Sequence, residues 1–282
     1  MRALRQLFLA HTDAWCVALI AAAVPLYIHD AFSSQTLYLL FAIGAVYWLA
    51  FALNDYFDAT HDATDPIKAE RNYFVSHPLT SRQFMVGYLC AGLLLFPAVG
   101  QFGLRGWLLG LLGGVVMWAY SAPPLRLKSR PIIDIITHTL FVETFPYWSI
   151  LFLLDVVWLP IDRTLLTVAL FASFTAQLEQ QARDYEVDSA TDRNFTTTFG
   201  LRLNLILMRT ATATLIAFGV WRILDGTIPW IFVPLAVIPL PMLLYRFADR
   251  TFRPQSQRLA YTLAALGAIY LVGMLLWFWV RS

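Results

Sequence analysis

The sequence predicts an all-α membrane protein, built as a bundle of nine membrane-spanning helices. Hydrophobic residues make up 59% of the 282 residues and charged residues only 13%, so the chain is far more apolar than an ordinary soluble domain. The mean hydropathy of +0.62 agrees with this composition. A chain of this length suits one helical bundle, and we expect no separate soluble domain.

Nine apolar segments support the helix count, since about 20 apolar residues are needed to cross roughly 30 Å of hydrocarbon. They lie near residues 12–29, 34–53, 83–101, 106–120, 132–154, 164–181, 203–224, 228–247 and 259–280. The segment at 106–120 is short for a span. An odd number of spans predicts that the two ends of the chain lie on opposite sides of the membrane.

The distribution of basic residues predicts the orientation, because Lys and Arg are concentrated in cytoplasmic loops. Fifteen basic residues fall on the amino-terminal side of this arrangement: Arg2, Arg5, Lys68, Arg71, Arg82, Arg126, Lys128, Arg130, Arg183, Arg193, Arg202, Arg246, Arg250, Arg253 and Arg258. Four fall on the other side: Arg105, Arg163, Arg222 and Arg281. We therefore predict a protein of the cell membrane with its amino terminus in the cytoplasm and its carboxyl terminus opposite. No basic patch for nucleic acid is apparent.

The polar stretch Asn54 to Asp62 directly follows the second apolar segment. Within it Asp55, Asp58 and Asp62 recur at i, i+3 and i+7, so three carboxylates share one face of a helical extension. A solvated helix start would explain one or two acids there, but not three on one face. Carboxylates suit Mg²⁺, which proteins usually hold together with substrate phosphates. The pattern predicts a diphosphate site.

A second acidic stretch follows the sixth apolar segment. Its residues Asp184, Asp188 and Asp192 recur at i, i+4 and i+8, which again is one helical face. Both stretches follow an even number of spans, so both are predicted to face the cytoplasm. Two such faces can hold opposite sides of one metal-diphosphate cluster.

Two loops on the same side carry basic residues. Lys68 and Arg71 follow the first acidic stretch, and Arg126, Lys128 and Arg130 lie in a proline-containing loop after the fourth segment. Arg offers bidentate contacts to a phosphate and Lys a point charge. Membrane orientation alone, or contact with anionic lipid head groups, would also place cations here. Their alternation with acids favours a role in function.

Ionisable residues inside the predicted spans are costly and usually face a cavity or a partner. Glu179, about a turn before Asp184, is expected at a polar cavity wall. His138 and Glu143 are five residues apart in the fifth segment. They can equally be interpreted as a structural pair whose polar groups are hydrogen-bonded between helices or as functional residues.

The two acidic stretches resemble the signatures of the UbiA superfamily of intramembrane prenyltransferases. The signature Asn-Asp-x-x-Asp-x-x-x-Asp is matched by Asn54, Asp55, Asp58 and Asp62, and the signature Asp-x-x-x-Asp by Asp184 and Asp188. The resemblance implies one domain over residues 1–282, a nine-helix bundle whose central cavity is capped by cytoplasmic loops. Asn72 departs from the pattern, because many members have a proline there.

The resemblance also implies the chemistry, which is Mg²⁺-dependent transfer from a prenyl diphosphate to a lipophilic acceptor among membrane lipids. The expected catalytic residues, which are also metal ligands, are Asp55, Asp58, Asp62, Asp184 and Asp188, and Asp192 is an additional expected metal ligand. The expected diphosphate contacts are Asn54, Lys68, Arg71, Tyr120, Arg126, Lys128 and Arg130. Apolar and aromatic walls would exclude water from an allylic carbocation and stabilise it by cation–π contacts.

The acceptor is predicted from the loop sequences at 120–128 and 192–200. They resemble the branch that contains lycopene elongases, chlorophyll synthases and archaeal glycerolipid prenyltransferases. We favour a lycopene-elongase-like enzyme of carotenoid biosynthesis, which adds a C5 unit from dimethylallyl diphosphate. The alternatives are a quinone-type aromatic, a chlorophyll-type or a glycerolipid acceptor, and a membrane terpene cyclase that needs no second substrate. An ion-coupled secondary transporter is disfavoured, because such proteins place their carboxylates near the bilayer midplane.

Overall fold

The computed structural model describes residues 7, 11–189, 193–248 and 255–281, and every regular element in these ranges is helical. The α-helices are α1 Thr12–Ile28, α2 Ser34–Asp62, α3 Pro66–Arg71, α4 Tyr73–Ser76, α5 Ser81–Gly100, α6 Gly103–Ser121, α7 Ile133–Thr139, α8 Phe145–Leu154, α9 Pro160–Asp188, α10 Phe195–Phe199, α11 Leu201–Leu224, α12 Val233–Val237, α13 Leu240–Ala248 and α14 Gln255–Arg281. A π-helical segment, Leu140–Thr144, joins α7 to α8. Short 3₁₀ helices occur at Leu127–Ser129 and Trp230–Phe232.

Several helices have the length and composition of membrane spans. Four described stretches are long and apolar enough to cross a membrane: Ser34–Asp62, Ser81–Gly100, Leu201–Leu224 and Trp230–Ala248. Large apolar side chains point outward from the bundle, and Leu93 and Leu94 are each 74% exposed, as expected for a surface in contact with lipid. The chain is therefore an all-helical integral membrane protein. Each predicted apolar segment coincides with helix, but the count of nine spans stays a prediction.

The described parts of the two acidic stretches lie on helices that continue beyond the apolar segments, α2 as far as Asp62 and α9 as far as Asp188. The capping box of Ser33 and Thr36 starts α2, and the chain then has no proline before Pro66. Pro160 occupies the first turn of α9, and no glycine or proline follows before its end at Asp188. Because nothing in either sequence breaks the helix, the motifs keep the periodicity of an α-helix.

One hydrophobic core surrounds α8, whose inner residues pack against α1, α9 and α14. Tyr147 and Leu151 of α8 are buried with Val24, Ile161 and Met274. A polar cluster around Asp162 stabilises the same region. The Asp162 carboxylate accepts hydrogen bonds from the Tyr147 hydroxyl at 2.8 Å and the Leu159 amide at 2.7 Å, and it lies 3.0 Å from His29 Nε2. Asp162 is about 40 Å along α9 from Asp188, so this well-packed end lies far from the acidic stretches.

One glycine is required by close helix packing. A Cβ atom on Gly106 of α6 would lie only 1.7 Å from the carbonyl oxygen of Val99 in α5. Only glycine allows this approach, and the α5–α6 pair therefore depends on it.

The orientation in the membrane stays a prediction, and four of the basic residues that support it, Arg2, Arg5, Arg250 and Arg253, lie outside the described residues. A reporter fused after Ser282 is expected on the non-cytoplasmic side, and one inserted near Gln255 in the cytoplasm. Enzymatic reporters that are active on only one side of the membrane measure this. A cytoplasmic carboxyl terminus would mean that the number of spans is even.

Candidate active site

The two acidic stretches meet at one internal cavity of about 240 Å³. Asn54, Asp58 and Asp62 of α2 and Asp184 and Asp188 of α9 line it where these two helices end. Three further predicted diphosphate contacts also line the cavity: Lys68, Tyr120 and Lys128. Asp192, the sixth predicted acid, lies outside the described residues.

Asp58 is surrounded by the basic loop that precedes α7. The Arg126 guanidinium donates to Asp58 Oδ1 at 3.0 Å, and the Lys128 ammonium contacts Asp58 Oδ2. Lys128 also donates to Asn54 Oδ1 at 2.7 Å, while the Asn54 amide donates to Asp58 Oδ2 at 3.1 Å. The cations of this loop thus lie directly on the first acidic stretch.

Lys68 of α3 contacts the carboxylates of the second acidic stretch in the same way. Its ammonium lies 3.5 Å from Asp188 Oδ1 and 3.8 Å from Asp184 Oδ2. Burial alone would lower the pKa of Lys68, but the carboxylates of Asp184, Asp188 and Asp62 outweigh burial and raise this pKa above its usual value. Lys68 is therefore a firmly charged group between α2 and α9.

Two asparagines that the sequence reasoning missed orient the acids. The Asn72 amide donates at 2.8 Å both to Asp62 Oδ2 and to the carbonyl oxygen of Asp55, and Asn72 Oδ1 accepts from the Phe74 amide at 2.9 Å. A proline at position 72 could make none of these contacts, so the departure from the family pattern has a structural role. The Asn194 amide donates to Asp188 Oδ2 at 3.1 Å. Each asparagine caps a short helix, which is the sequence signal that could have identified them.

A buried polar network holds Asn194 in place. The Gln181 amide donates to Asp134 Oδ2 at 2.6 Å, and Gln181 Oε1 accepts from the Thr196 backbone and hydroxyl at 3.0 and 2.9 Å. The Phe195 amide also donates to Asp134 at 3.1 Å. This network attaches the start of α10 to α7 and α9, next to the second acidic stretch.

Three predicted site residues make their contacts elsewhere. The Asp55 carboxylate lies 3.0 and 3.2 Å from His11 Nε2 of the amino-terminal region. The Arg71 guanidinium donates to the Tyr261 hydroxyl at 2.8 Å, and Arg130 Nε donates to the Leu125 carbonyl oxygen at 2.9 Å. None of the three lines the cavity. Their roles in metal or diphosphate binding stay predictions.

The rest of the cavity wall is largely apolar and aromatic. It includes Val46, Tyr47, Ala50, Phe51, Val116, Met117, Phe141, Val142 and Phe145. The cavity therefore combines a charged end with a wall suited to a hydrocarbon chain.

The donor set at the charged end fits Mg²⁺, because the acids and Asn54 offer only oxygen ligands. Within the described ranges, no group of three or more His, Cys, Asp or Glu side chains is arranged as a metal centre by itself. The carboxylates contact basic side chains instead. Such a set fits a metal ion that is bound together with a phosphate-bearing ligand, because phosphate oxygens then complete its coordination.

The fold and the site define a helical membrane protein whose cavity, charged at one end and apolar along its wall, suits an amphiphilic ligand. More specifically, the chain belongs to the UbiA prenyltransferase family, whose sequence model matches residues 12–267. It is thus a prenyltransferase, as the two signatures predict.

Solved structures of UbiA homologues share the fold. One from Archaeoglobus fulgidus, bound to GPP and Mg²⁺, is 20% identical with a TM-score of 0.75 over 97% of this chain and 99% of that chain. One from Archaeoglobus fulgidus bound to DMAPP and Mg²⁺ is 19% identical with a TM-score of 0.74 over 97% of this chain and 98% of that chain. The apo structure of a homologue from Aeropyrum pernix K1 is 12% identical with a TM-score of 0.68 over 93% and 98%. A comparison with curated proteins finds no match.

The contact between Asp55 and His11 leads to a prediction that separates Asp55 from the acids of the cavity. Asp55→Asn is expected to lower the free energy of unfolding by about 1 kcal/mol, because it weakens a largely buried hydrogen bond to the amino-terminal region. Turnover is expected to fall far less than in Asp58→Asn. Melting temperatures and turnover of the two purified variants measure this. An equally deep loss of turnover would return Asp55 to the metal site.

Proposed function

We propose that this chain transfers a prenyl group from an allylic prenyl diphosphate to a lipophilic acceptor within the membrane, with Mg²⁺ as cofactor. The observation that carries the proposal is the cavity: four aspartates from α2 and α9 and two lysines line its charged end, and the rest is largely apolar. The UbiA homologues bound to GPP or DMAPP with Mg²⁺ support this choice of ligand.

The charged end would bind the diphosphate through both kinds of side chain. Asn54, Asp58, Asp62, Asp184 and Asp188 would hold Mg²⁺, which supplies positive charge that stabilises the departing diphosphate. The basic side chains that now contact these carboxylates would turn to phosphate oxygens, since they already lie within about 4 Å of the acids. Those side chains are Lys68, Arg126 and Lys128. Arg71, Tyr120, Arg130 and Asp192 remain proposed contributors from the family signatures, and Asp55 is proposed as a weaker contributor because its carboxylate contacts His11.

The reaction breaks the bond between C1 of the prenyl chain and the diphosphate oxygen, and the electron pair leaves with the diphosphate. The acceptor then donates an electron pair to C1 and loses a proton. The basic residues stabilise the leaving charge. Phe51, Phe141 and Phe145 of the wall would exclude water and stabilise the allylic cation through their π-faces.

For the acceptor, the loop sequences favour C5 addition to a carotenoid such as lycopene. The second candidate is a quinone-type aromatic, a chlorophyll-type or a glycerolipid acceptor. Buried polar atoms of the cavity wall that make no hydrogen bond within the described residues favour it. Membranes that contain the protein are incubated with labelled dimethylallyl diphosphate, with and without lycopene. A labelled product that requires lycopene would support the carotenoid, while a labelled product formed equally without it would exclude a lycopene requirement. Labelled diphosphate that crosses the membrane unchanged would indicate a transporter.

Dependence on metal is the direct test of the charged end. Turnover is expected to stop in EDTA and to return with Mg²⁺ or Mn²⁺, because carboxylates alone repel a diphosphate. Product formation from labelled geranyl diphosphate is measured in metal-free buffer with and without added metal. Full activity in EDTA would remove the basis of the proposal.

A further inference from the structure

Resting on the function proposed above, we infer that His138 and Gln177 bind the polar head of the acceptor, and that this head carries a hydroxyl group. Both residues line the cavity beyond its charged end, His138 from α7 and Gln177 from α9. Neither residue belongs to the acidic signatures or to the basic loops. They belong to the polar part of a lining that also includes Thr137, Gln180 and Gln181.

The packing of α7 on α9 brings the two side chains to the same region of the cavity. The Ser173 hydroxyl donates to the carbonyl oxygen of His138 at 3.1 Å, which fixes the register of the two helices. Gln177 follows Ser173 by one turn on α9. It precedes Asp184 by seven residues, about 10 Å along the helix axis. A head group at this level therefore lies next to the space where a prenyl chain leaves a diphosphate held by Asp184 and Asp188.

Both residues have polar atoms that lack a protein partner. Gln177 is only 5% exposed, and its Oε1 atom and the Nδ1 atom of His138 are buried without a hydrogen bond within the part of the chain that the structure describes. A buried unpaired polar atom is destabilising, and native proteins contain few. Two other polar groups of the wall have protein partners: Gln181 bonds to Asp134 and Thr196, and the Tyr47 hydroxyl donates to the carbonyl oxygen of Phe141.

The chemistry of the pair selects the ligand class. An amide and an imidazole together offer both donors and acceptors, and a hydroxyl group can donate to one and accept from the other. A pure hydrocarbon would leave both side chains unpaired. The π-helical segment Leu140–Thr144 begins two residues after His138, and such segments are frequent at functional sites. These two side chains therefore favour the second candidate acceptor, a hydroxylated lipid, over the carotenoid hydrocarbon that the loop sequences favour.

A pair of probes that differ only in the hydroxyl group tests the inference. We would measure the affinity of 4-nonylphenol and of nonylbenzene for the detergent-solubilised protein with Mg²⁺ and geranyl diphosphate bound, corrected for partition into detergent. The phenol is expected to bind about tenfold more tightly, which is typical of a buried polar pair that gains its partner. This preference is expected to disappear in His138→Phe and in Gln177→Leu.

Matched controls are His77→Phe and Gln35→Leu, since both residues are exposed and lie outside the cavity. They should keep the preference for the phenol. Equal affinities of the two probes for the unmodified protein would overturn the inference, as would a preference that persists in both cavity variants. Affinity for geranyl diphosphate is measured separately in every protein. If the unmodified protein did not bind geranyl diphosphate, the proposed function itself would be contradicted. Failure of the inference and failure of the proposed function are therefore distinguishable.

Discussion

Asp58→Asn and Asp188→Asn are each expected to reduce turnover by about 10²–10³-fold while the protein stays folded, because each removes a carboxylate proposed to hold the Mg²⁺ that stabilises the leaving diphosphate. Both carboxylates line the cavity, and each contacts a basic side chain. The double variant is expected to be scarcely worse than either single one, since groups that act as a unit are not additive.

Single-turnover product formation, affinity for geranyl diphosphate at saturating Mg²⁺ and thermal unfolding measure these effects. Asp30→Asn is the matched control, because Asp30 is exposed in the loop between α1 and α2, and its positive φ of 50° suits Asn as well as Asp. Near-normal turnover in both single variants, with a lower melting temperature as the only defect, would leave the acids as structural residues.

Arg246→Leu is expected to destabilise the protein by about 3–5 kcal/mol, because it leaves Glu179 as an uncompensated buried charge. Arg246 Nε donates to Glu179 Oε2 at 2.8 Å, and its Nη1 donates to the hydroxyls of Thr175 and Thr212 at 2.7 and 3.2 Å. The pair joins α13 to α9 and α11 beside the cavity. The double variant Arg246→Leu/Glu179→Leu is expected to recover most of the loss, since it buries no charge.

Denaturant unfolding of the two variants in detergent measures the difference. Arg105→Leu removes an arginine that forms an exposed ion pair with Asp155, and it should change stability little. If the double variant were as unstable as the single one, the buried charge of Glu179 would not be the cause.

Helix periodicity explains what the sequence could predict about the site. Spacings of three and four residues place side chains on one face of a helix, and Asp58, Asp62, Asp184 and Asp188 indeed line one cavity. Periodicity does not determine which neighbour a side chain meets. Asp55 lies two turns before Asp62 on α2, yet its carboxylate meets His11, because the His11 ring stacks on Phe51 one turn earlier in α2.

Glu179 shows the same limit, and the expectation that it lies at the cavity wall is wrong. It lies less than two turns before Asp184, but α13 packs against that side of α9 and supplies Arg246 as its partner. Such a pair depends on the docking of helices that are distant in sequence, and neither local spacing nor composition encodes it.

The eighth apolar segment, at 228–247, is long and apolar enough to cross a membrane, but its helix is not continuous. It consists of the 3₁₀ helix Trp230–Phe232, α12 and α13. Hydropathy does not register the break, but the prolines do, because Pro229, Pro234, Pro239 and Pro241 each lack a backbone donor. Proline positions therefore locate the interruptions that hydropathy misses.

The ion pairs at the charged end have a consequence for how a substrate is captured. Lys68, Arg126 and Lys128 act as counter-ions of carboxylates there, so they offset part of the negative charge of Asp58, Asp62, Asp184 and Asp188. On the proposed function, binding of a metal diphosphate would be an ion exchange, in which each lysine leaves a carboxylate for a phosphate oxygen while the carboxylate turns to the metal. Lys68 lies after α2 and Lys128 after α6, so loading of the substrate would engage both segments at once.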